Sequence, residues 1–202
     1  MLTPDPEAHG TAPSTAMVRP VGRWPRFLIA LGAAALAVAL VGLPLYVFPA
    51  SDAPREVDAV YVIGPPTAPR IELAERMIED GLSDTMVVSL NDEPADRAQY
   101  PEAVEVCEQP QDYTVHCDRP EPFTTRGEAR WIRELIDDNA WQSVAVVTIT
   151  PHITRARVIM ERCWDGDVVY LDSGETLAPH YWAYMYAYQS AAFVKVALED
   201  GC

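Results

Sequence analysis

From Phe27 to Ser51 the chain carries no charged residue, and most of that run is Ala, Leu, Val and Ile. About 20 apolar residues rising ~1.5 Å each cover the ~30 Å hydrocarbon core of a bilayer, so the segment is long enough to span one. Gly32, Gly42 and Pro44 fall inside it, and membrane helices tolerate these residues better than soluble ones do. Arg19, Arg23 and Arg26 precede the run, whereas Asp52, Glu56 and Asp58 follow it. Clustered arginine marks the cytoplasmic flank. The sequence therefore predicts a disordered cytoplasmic tail over 1–26, a transmembrane helix over 27–49, and an exported domain over 55–202. Trp24 and Tyr46 stand where interfacial aromatics belong. A cleaved secretory signal is the competing reading. It fits less well, because the apolar region is long, it starts late, and Phe48-Pro49-Ala50 does not match a small-x-small cleavage site. Both readings export the domain.

The formal net charge is −15. Three arginines and two acids precede residue 52, which leaves twelve basic against twenty-eight acidic side chains in the exported part. Such a surface argues against nucleic acid and against capture of anionic headgroups by a general basic field. An anionic ligand would need a few specific cations. All four cysteines (Cys107, Cys117, Cys163 and Cys202) lie in the exported part, where thiols oxidise. Cys107 and Cys117 flank a polar loop and are expected to pair; Cys163 with Cys202 is a weaker expectation. No C-x-x-C occurs and the histidines are scattered, so no metal site is expected.

Short apolar runs at 57–63 (VDAVYVI), 85–90 (TMVVSL), 143–149 (SVAVVTI) and 168–171 alternate with helical stripes. These stripes are Ile71/Ala74/Met77/Ile78, Ala129/Ile132/Leu135/Ile136 and Ile153/Ala156/Ile159/Met160/Cys163, with a final helix from about Pro179 to Leu198. Apolar strands alternating with amphipathic helices predict an α/β domain: a Rossmann-like parallel sheet with helices on both faces. Between Ser89 and Phe123 the chain is polar, acidic and without a long helical stripe, and reads as a Cys-bearing insertion at about 91–122.

Open parallel sheets bind ligands beyond the carboxyl ends of their strands. Candidates there are Arg70 after the first strand, Thr125 and Glu128 at the start of the middle helix, and Thr148, His152 and Arg155 after the fourth apolar run. His152 and Arg155, three apart, share one side of a helix and could grip a phosphate or carboxylate, with His152 as acid, base or nucleophile. The bland alternatives stand beside this. Thr125 and Glu128 have capping-box spacing, His152 could cap its helix, Arg155 could pair with surface acids, and Arg70 with Glu72 or Glu75. His116 and His180 read as surface or packing residues. Tyr181, Trp182, Tyr184, Tyr186 and Tyr188 read as sheet packing and membrane-interface contact. The common dinucleotide, NTPase and hydrolase signatures are absent.

Three motifs in order carry a resemblance. Asp58-Ala59-Val60-Tyr61-Val62-Ile63-Gly64 followed by Arg70, then Thr125-x-x-Glu128-Ala129, then Val147-Thr148-Ile149-Thr150-Pro151-His152-Ile153-Thr154-Arg155-Ala156, resemble the YdcF/SanA/ElyC-like family, the last its VTS-x-x-H-x-x-RA motif. The resemblance spans about Val57 to Leu171, and the anchor and Cys-bearing segment look like an actinobacterial-type branch. It implies a Rossmann-like, often membrane-anchored domain connected with envelope and peptidoglycan integrity. Taken with the His152/Arg155 pair, this gives the expectation of a small anionic cell-wall or lipid-carrier ligand, handled by a hydrolase or transferase or bound by a non-catalytic factor. No cofactor is expected from the residues; S-adenosylmethionine enters through the resemblance alone. Two positions depart from the pattern: Gly64-Pro65-Pro66 replaces a glycine-rich turn, and Ser89-Leu90-Asn91 replaces S-G-G. Both crowd loops where glycine would permit close backbone approach.

Overall fold

The computed structural model describes residues 23–202, so most of the N-terminal tail read over 1–26 lies outside the described residues. The chain divides into two compact units between Ala37 and Val38. Helix α1 (Arg23–Gly42) starts four residues before the predicted span, with Pro25 in its first turn, where a missing N–H costs nothing. It continues through a π-helical turn, Leu43–Val47, closed by Phe48 N–H donating to the Leu43 carbonyl over 2.9 Å. Pro44 sits in this turn; lacking an N–H and crowding the preceding carbonyls, proline favours such a local widening. From Trp24 to Val47 the helix has a mean hydropathy of 2.5, long and apolar enough to cross a membrane. It is apolar on all sides and exposed on nearly all, a pattern that water does not tolerate in a soluble helix.

The domain is built on five parallel strands: β1 (Ala59–Val62), β2 (Thr85–Ser89), β3 (Thr114–Asp118), β4 (Ser143–Thr148) and β5 (Asp167–Asp172), in the order β3-β2-β1-β4-β5. Alternate strand residues serve opposite faces. Tyr61, Val144, Val146 and Tyr170 pack against α5 (Thr125–Asn139) and α6 (Ile153–Cys163). Val60, Val62, Val88 and Val147 pack against α2 (Ala68–Glu79) and α4 (Pro101–Glu108). Burial on both sides is why β1, β2 and β4 read as continuous apolar runs. The expected doubly covered parallel sheet is therefore the observed one.

The segment read as an insertion contains α3 (Pro94–Gln99), α4 and β3. β3 pairs with β2 from Thr85↔Thr114 to Ser89↔Asp118, at the sheet edge. Its sequence, TVHCD, escaped the apolar-run criterion because an edge strand is half-covered at best and tolerates polar side chains. Cys107 at the end of α4 is disulfide-bonded to Cys117 of β3 with Cα atoms 5.9 Å apart, so the expected pairing ties this small helix to its strand. Cys163 and Cys202 also pair, joining the end of α6 to the C-terminus. The opposite edge, β5, is covered by the chain leaving the π turn: Asp52 N–H donates to the Tyr170 carbonyl, and its carboxylate accepts the Tyr170 N–H, both over 2.8 Å.

Helix α7 (Pro179–Leu198) lies over the α6 side, with Val196 in that core. His116 packs edge-on against Trp141, as a surface packing residue should.

Candidate functional site

β1 and β4 are neighbours, but the chain leaves them in opposite directions, toward β2 and toward β5. That switch opens a crevice beyond their carboxyl ends. A cavity of about 290 Å³ occupies it. Gly64, Arg70, Thr125, Glu128, His152 and Arg155 line it on the sheet side, and Tyr181, Tyr184, Met185, Tyr188 and Gln189 of α7 close the other. Five of the six sequence candidates reach it directly. The sixth, Thr148, is fully buried beneath it and touches His152.

The capping-box alternative for Thr125 and Glu128 does not hold. The residue capping α5 is Thr124, whose hydroxyl accepts the Gly127 N–H, which places both Thr125 and Glu128 inside the first turn and not at the cap. Both side chains are thereby freed for the cavity. Glu128 Oε1 accepts the Gly64 N–H over 2.7 Å, bridging α5 to the turn after β1. Burial pushes its pKa up to about 7; the Gly64 N–H, the Ser89 hydroxyl and the charges of Arg155 and Arg70 offset part of that cost. Among the described residues the buried Ser89 and Tyr61 hydroxyls make no hydrogen bond of good geometry, and the Ser89 hydroxyl influences Glu128 only as a nearby dipole.

His152 stands at the end of a short 3₁₀ turn, Thr150–His152, and its ring makes no capping bond. Instead Nδ1 lies 2.8 Å from Thr148 Oγ1 and Nε2 lies 3.4 Å from Thr125 Oγ1. Burial, and then the positive charges of Arg155 and Arg70, hold its pKa well below the usual imidazole range. The ring is neutral at physiological pH, with one nitrogen a donor and the other an acceptor.

Arg155 donates through Nε to Gln189 Oε1 over 2.7 Å and through Nη1 to Thr125 Oγ1 over 3.0 Å. It is 8% exposed, and its polar partners are neutral side chains, with the Tyr188 ring 5.7 Å away. The surface-acid alternative for Arg155 therefore fails. Because Arg155 can only donate, it fixes the Gln189 amide with its oxygen inward. Gln189 Nε2 is then a fully buried donor without a partner among the described residues.

Arg70 pairs with neither Glu72 nor Glu75. Its Nε donates to Glu175 Oε1 over 2.8 Å, and its Nη1 donates to the Ile63 and Pro65 carbonyls over 3.1 and 2.7 Å. Thr67 and Ser173 also donate to Glu175 Oε1. Arg70 thus clamps the β1–α2 turn to the loop after β5, and its charge is largely matched there.

Gln189, Glu175 and the α7 tyrosines were not legible as site residues. Gln189 is an amide within an otherwise apolar helical stretch, and Glu175 lies three residues past the last strand; either oddity could have flagged its residue. The tyrosine stretch reads in sequence as sheet packing and membrane-interface contact; Tyr181, Tyr184 and Tyr188 do not pack on the sheet but are exposed and rim the cavity, with successive ring centroids 5.7 and 5.8 Å apart. The loop after β2 does not come to the cavity. Asn91 is bonded to Asp96 and Arg119 instead.

Among the described residues no group of three or more His, Cys, Asp or Glu side chains is placed to hold a metal ion. A side chain at Gly64 would meet Glu128 Oε1 at 3.1 Å and the Phe123 ring at 3.4 Å, so the turn is tight. No family model, curated protein or solved structure matches the chain.

Proposed function

We propose that the chain is a membrane-anchored envelope protein of the YdcF/SanA-like kind. Its exported domain takes a small phosphate- or carboxylate-bearing intermediate into the crevice between β1 and β4. The observation that carries this reading is Arg155: a buried guanidinium held by a threonine and a glutamine, with an unpartnered Gln189 N–H beside it. A buried charge is costly unless matched, and an anion accepting from Arg155 and Gln189 matches it. In a chain of net charge −15, such a cavity concentrates anions only by specific contact.

The arginine-rich flank before the span supports an N-terminus inside and the domain outside, anchored in the cytoplasmic membrane through residues 27–49. Two disulfides suit an oxidising compartment. Nothing in the cavity favours S-adenosylmethionine: the turn after β1 is crowded, and an exported domain is removed from the cytoplasmic cofactor pool.

If the ligand is turned over, neutral His152 takes the proton of an attacking water or hydroxyl, and Glu128, with a pKa near 7, gives one to the leaving oxygen. Hydrolase and transferase differ only in the acceptor. A non-catalytic binding factor is the second reading, favoured by the engagement of both His152 ring nitrogens with threonine hydroxyls.

Calorimetry on the full chain in detergent, with inorganic phosphate and simple phosphomonoesters and carboxylates, tests the site. Arg155→Gln is expected to lower affinity about 10- to 100-fold, the worth of one charge-assisted hydrogen bond. Absence of anion binding by the folded wild-type chain defeats the proposal. Product release that His152→Asn abolishes while binding persists selects the enzyme over the binder.

A further inference from the structure

Helix α7 is unusual for an exposed helix of an acidic protein. Besides the amide and hydroxyl of Gln189 and Ser190 and the ring of His180, its only charged side chain is Lys195. Its circumference at 100° per residue divides into four arcs. Met185, Gln189 and Val196 are buried against the domain. Next around the helix come Tyr186, Ser190 and Phe193, which meet the last turn of α1 and the π-helical turn after it. Tyr46 packs edge-on to Tyr186 at 5.1 Å and lies 6.0 Å from Phe193, while its hydroxyl is 3.3 Å from Ser190 Oγ. The Tyr186 hydroxyl donates to the Ala39 carbonyl over 3.4 Å. The third arc is Ala183, Val194, Ala187, Leu198 and Ala191, all exposed and apolar, with the exposed His180 at its N-terminal end. The fourth is Tyr184, Lys195, Tyr188 and Tyr181; its three tyrosines rim the cavity, and Lys195 lies beyond it on a neighbouring groove.

From the geometry we infer that the third arc of α7 is seated in the bilayer interface, in the leaflet where the apolar run ends, and that the cavity therefore opens at headgroup depth. Two independent observations converge. The arc adjoins the Tyr186–Ser190–Phe193 arc, which packs against the segment Ala39–Tyr46, the end of the run that is apolar enough to span the membrane. The order around the helix, an uncharged aliphatic strip bordered by tyrosines and one lysine, is that of an interfacial helix, with amphipathic rings and a snorkelling cation at the polar boundary. Leu198 is 80% exposed and Val194 60%, apolar surface that water disfavours and lipid accepts. The consequence for the site is a restriction on ligand class: an anion carried on an amphiphile of the same leaflet reaches Arg155 past the tyrosine rim without leaving the membrane surface. This restriction rests on the anion-site reading; the seating of α7 does not.

The chain suits spin labelling, since all four cysteines are disulfide-bonded. Single cysteines at Ala187, Ala191 and Val194 in the full chain, reconstituted in phosphatidylcholine/phosphatidylglycerol vesicles, would be labelled and tested for collision with oxygen and with a water-soluble nickel chelate. Labels at Glu134 on α5 and Ala34 within the span are the references. The inference expects oxygen to exceed nickel several-fold at 187, 191 and 194, approaching the ratio at Ala34, with Glu134 reversed. Nickel access at the three α7 positions equal to that at Glu134 overturns it, and so does shielding from both reagents, which would place a protein on the face. If Ala34 itself is open to nickel, the membrane-span reading has failed and the inference falls with it. The ligand restriction is tested separately. A short-chain phosphatidic acid should bind at least tenfold more tightly than inorganic phosphate in the wild type, and lose that advantage in Tyr188→Glu. Equal affinities overturn it while leaving the anion site intact.

Discussion

Replacing Glu128 by glutamine tests the electrostatics of the site through stability, with no ligand needed. Glu128 is 4% exposed and has its pKa raised from 4.5 to about 7. Between those values the folded chain holds a proton that the unfolded chain has released, so stability conferred by the neutral carboxyl is lost as pH rises from 4.5 toward 7 and is gone above it. A rise of two to three units corresponds to about 3 kcal/mol at ~1.4 kcal/mol per unit. Glutamine keeps the shape and the oxygen that accepts the Gly64 N–H, and its new N–H₂ faces the unpartnered Ser89 and Tyr61 hydroxyls. E128Q should therefore match the wild type near pH 4.5 and exceed it by about 3 kcal/mol at pH 8. Other titrating groups, including His152, cancel in the difference. Urea unfolding of the full chain in detergent, followed by tryptophan fluorescence with disulfides intact, measures this from pH 4.5 to 8. A difference that stays constant within ~0.5 kcal/mol would show that Glu128 is ionised throughout, and the raised pKa would be wrong.

Three further outcomes follow from the packing. A methyl group at Gly127 would collide with the Pro122 carbonyl at the entry to α5, so G127A should cost about 1–3 kcal/mol in the same unfolding assay and weaken anion binding by displacing Thr125. Ala140 ends α5 with φ +56°, a conformation glycine adopts without strain, so A140G should stabilise by about 0.5–1 kcal/mol, read as a shift of the urea midpoint at unchanged slope. The Cys163–Cys202 bridge closes a span of 39 residues and Cys107–Cys117 one of 10, so loop-closure entropy makes the former worth about 4 kcal/mol and the latter about 3. Paired Cys→Ser variants should fall in that order, and mass mapping without reductant should recover both linked peptides.

The sequence by itself determined the parts whose physics is local. An uncharged run of bilayer length reads as a helix long and apolar enough to cross a membrane, and the described structure has such a helix from Trp24 to Val47. Strands covered on both faces must be continuously apolar, which made β1, β2 and β4 legible, and with them the crevice at their carboxyl ends where His152 and Arg155 stand. Tertiary structure decided what depends on partners distant in sequence. β3 became a strand because β2 offered an edge, not because TVHCD has any pattern of its own. Thr125 and Glu128 had a spacing equally suited to capping and to a site, and a one-residue shift of the cap to Thr124 removed the capping-box reading. Arg70 had acids within reach on its own helix but found Glu175, 105 residues away. Gln189 carried no motif; it matters because folding brings an apolar helix across the crevice and leaves one amide facing Arg155. Side-chain chemistry is written locally, but which charge remains unmatched is a property of the assembled whole.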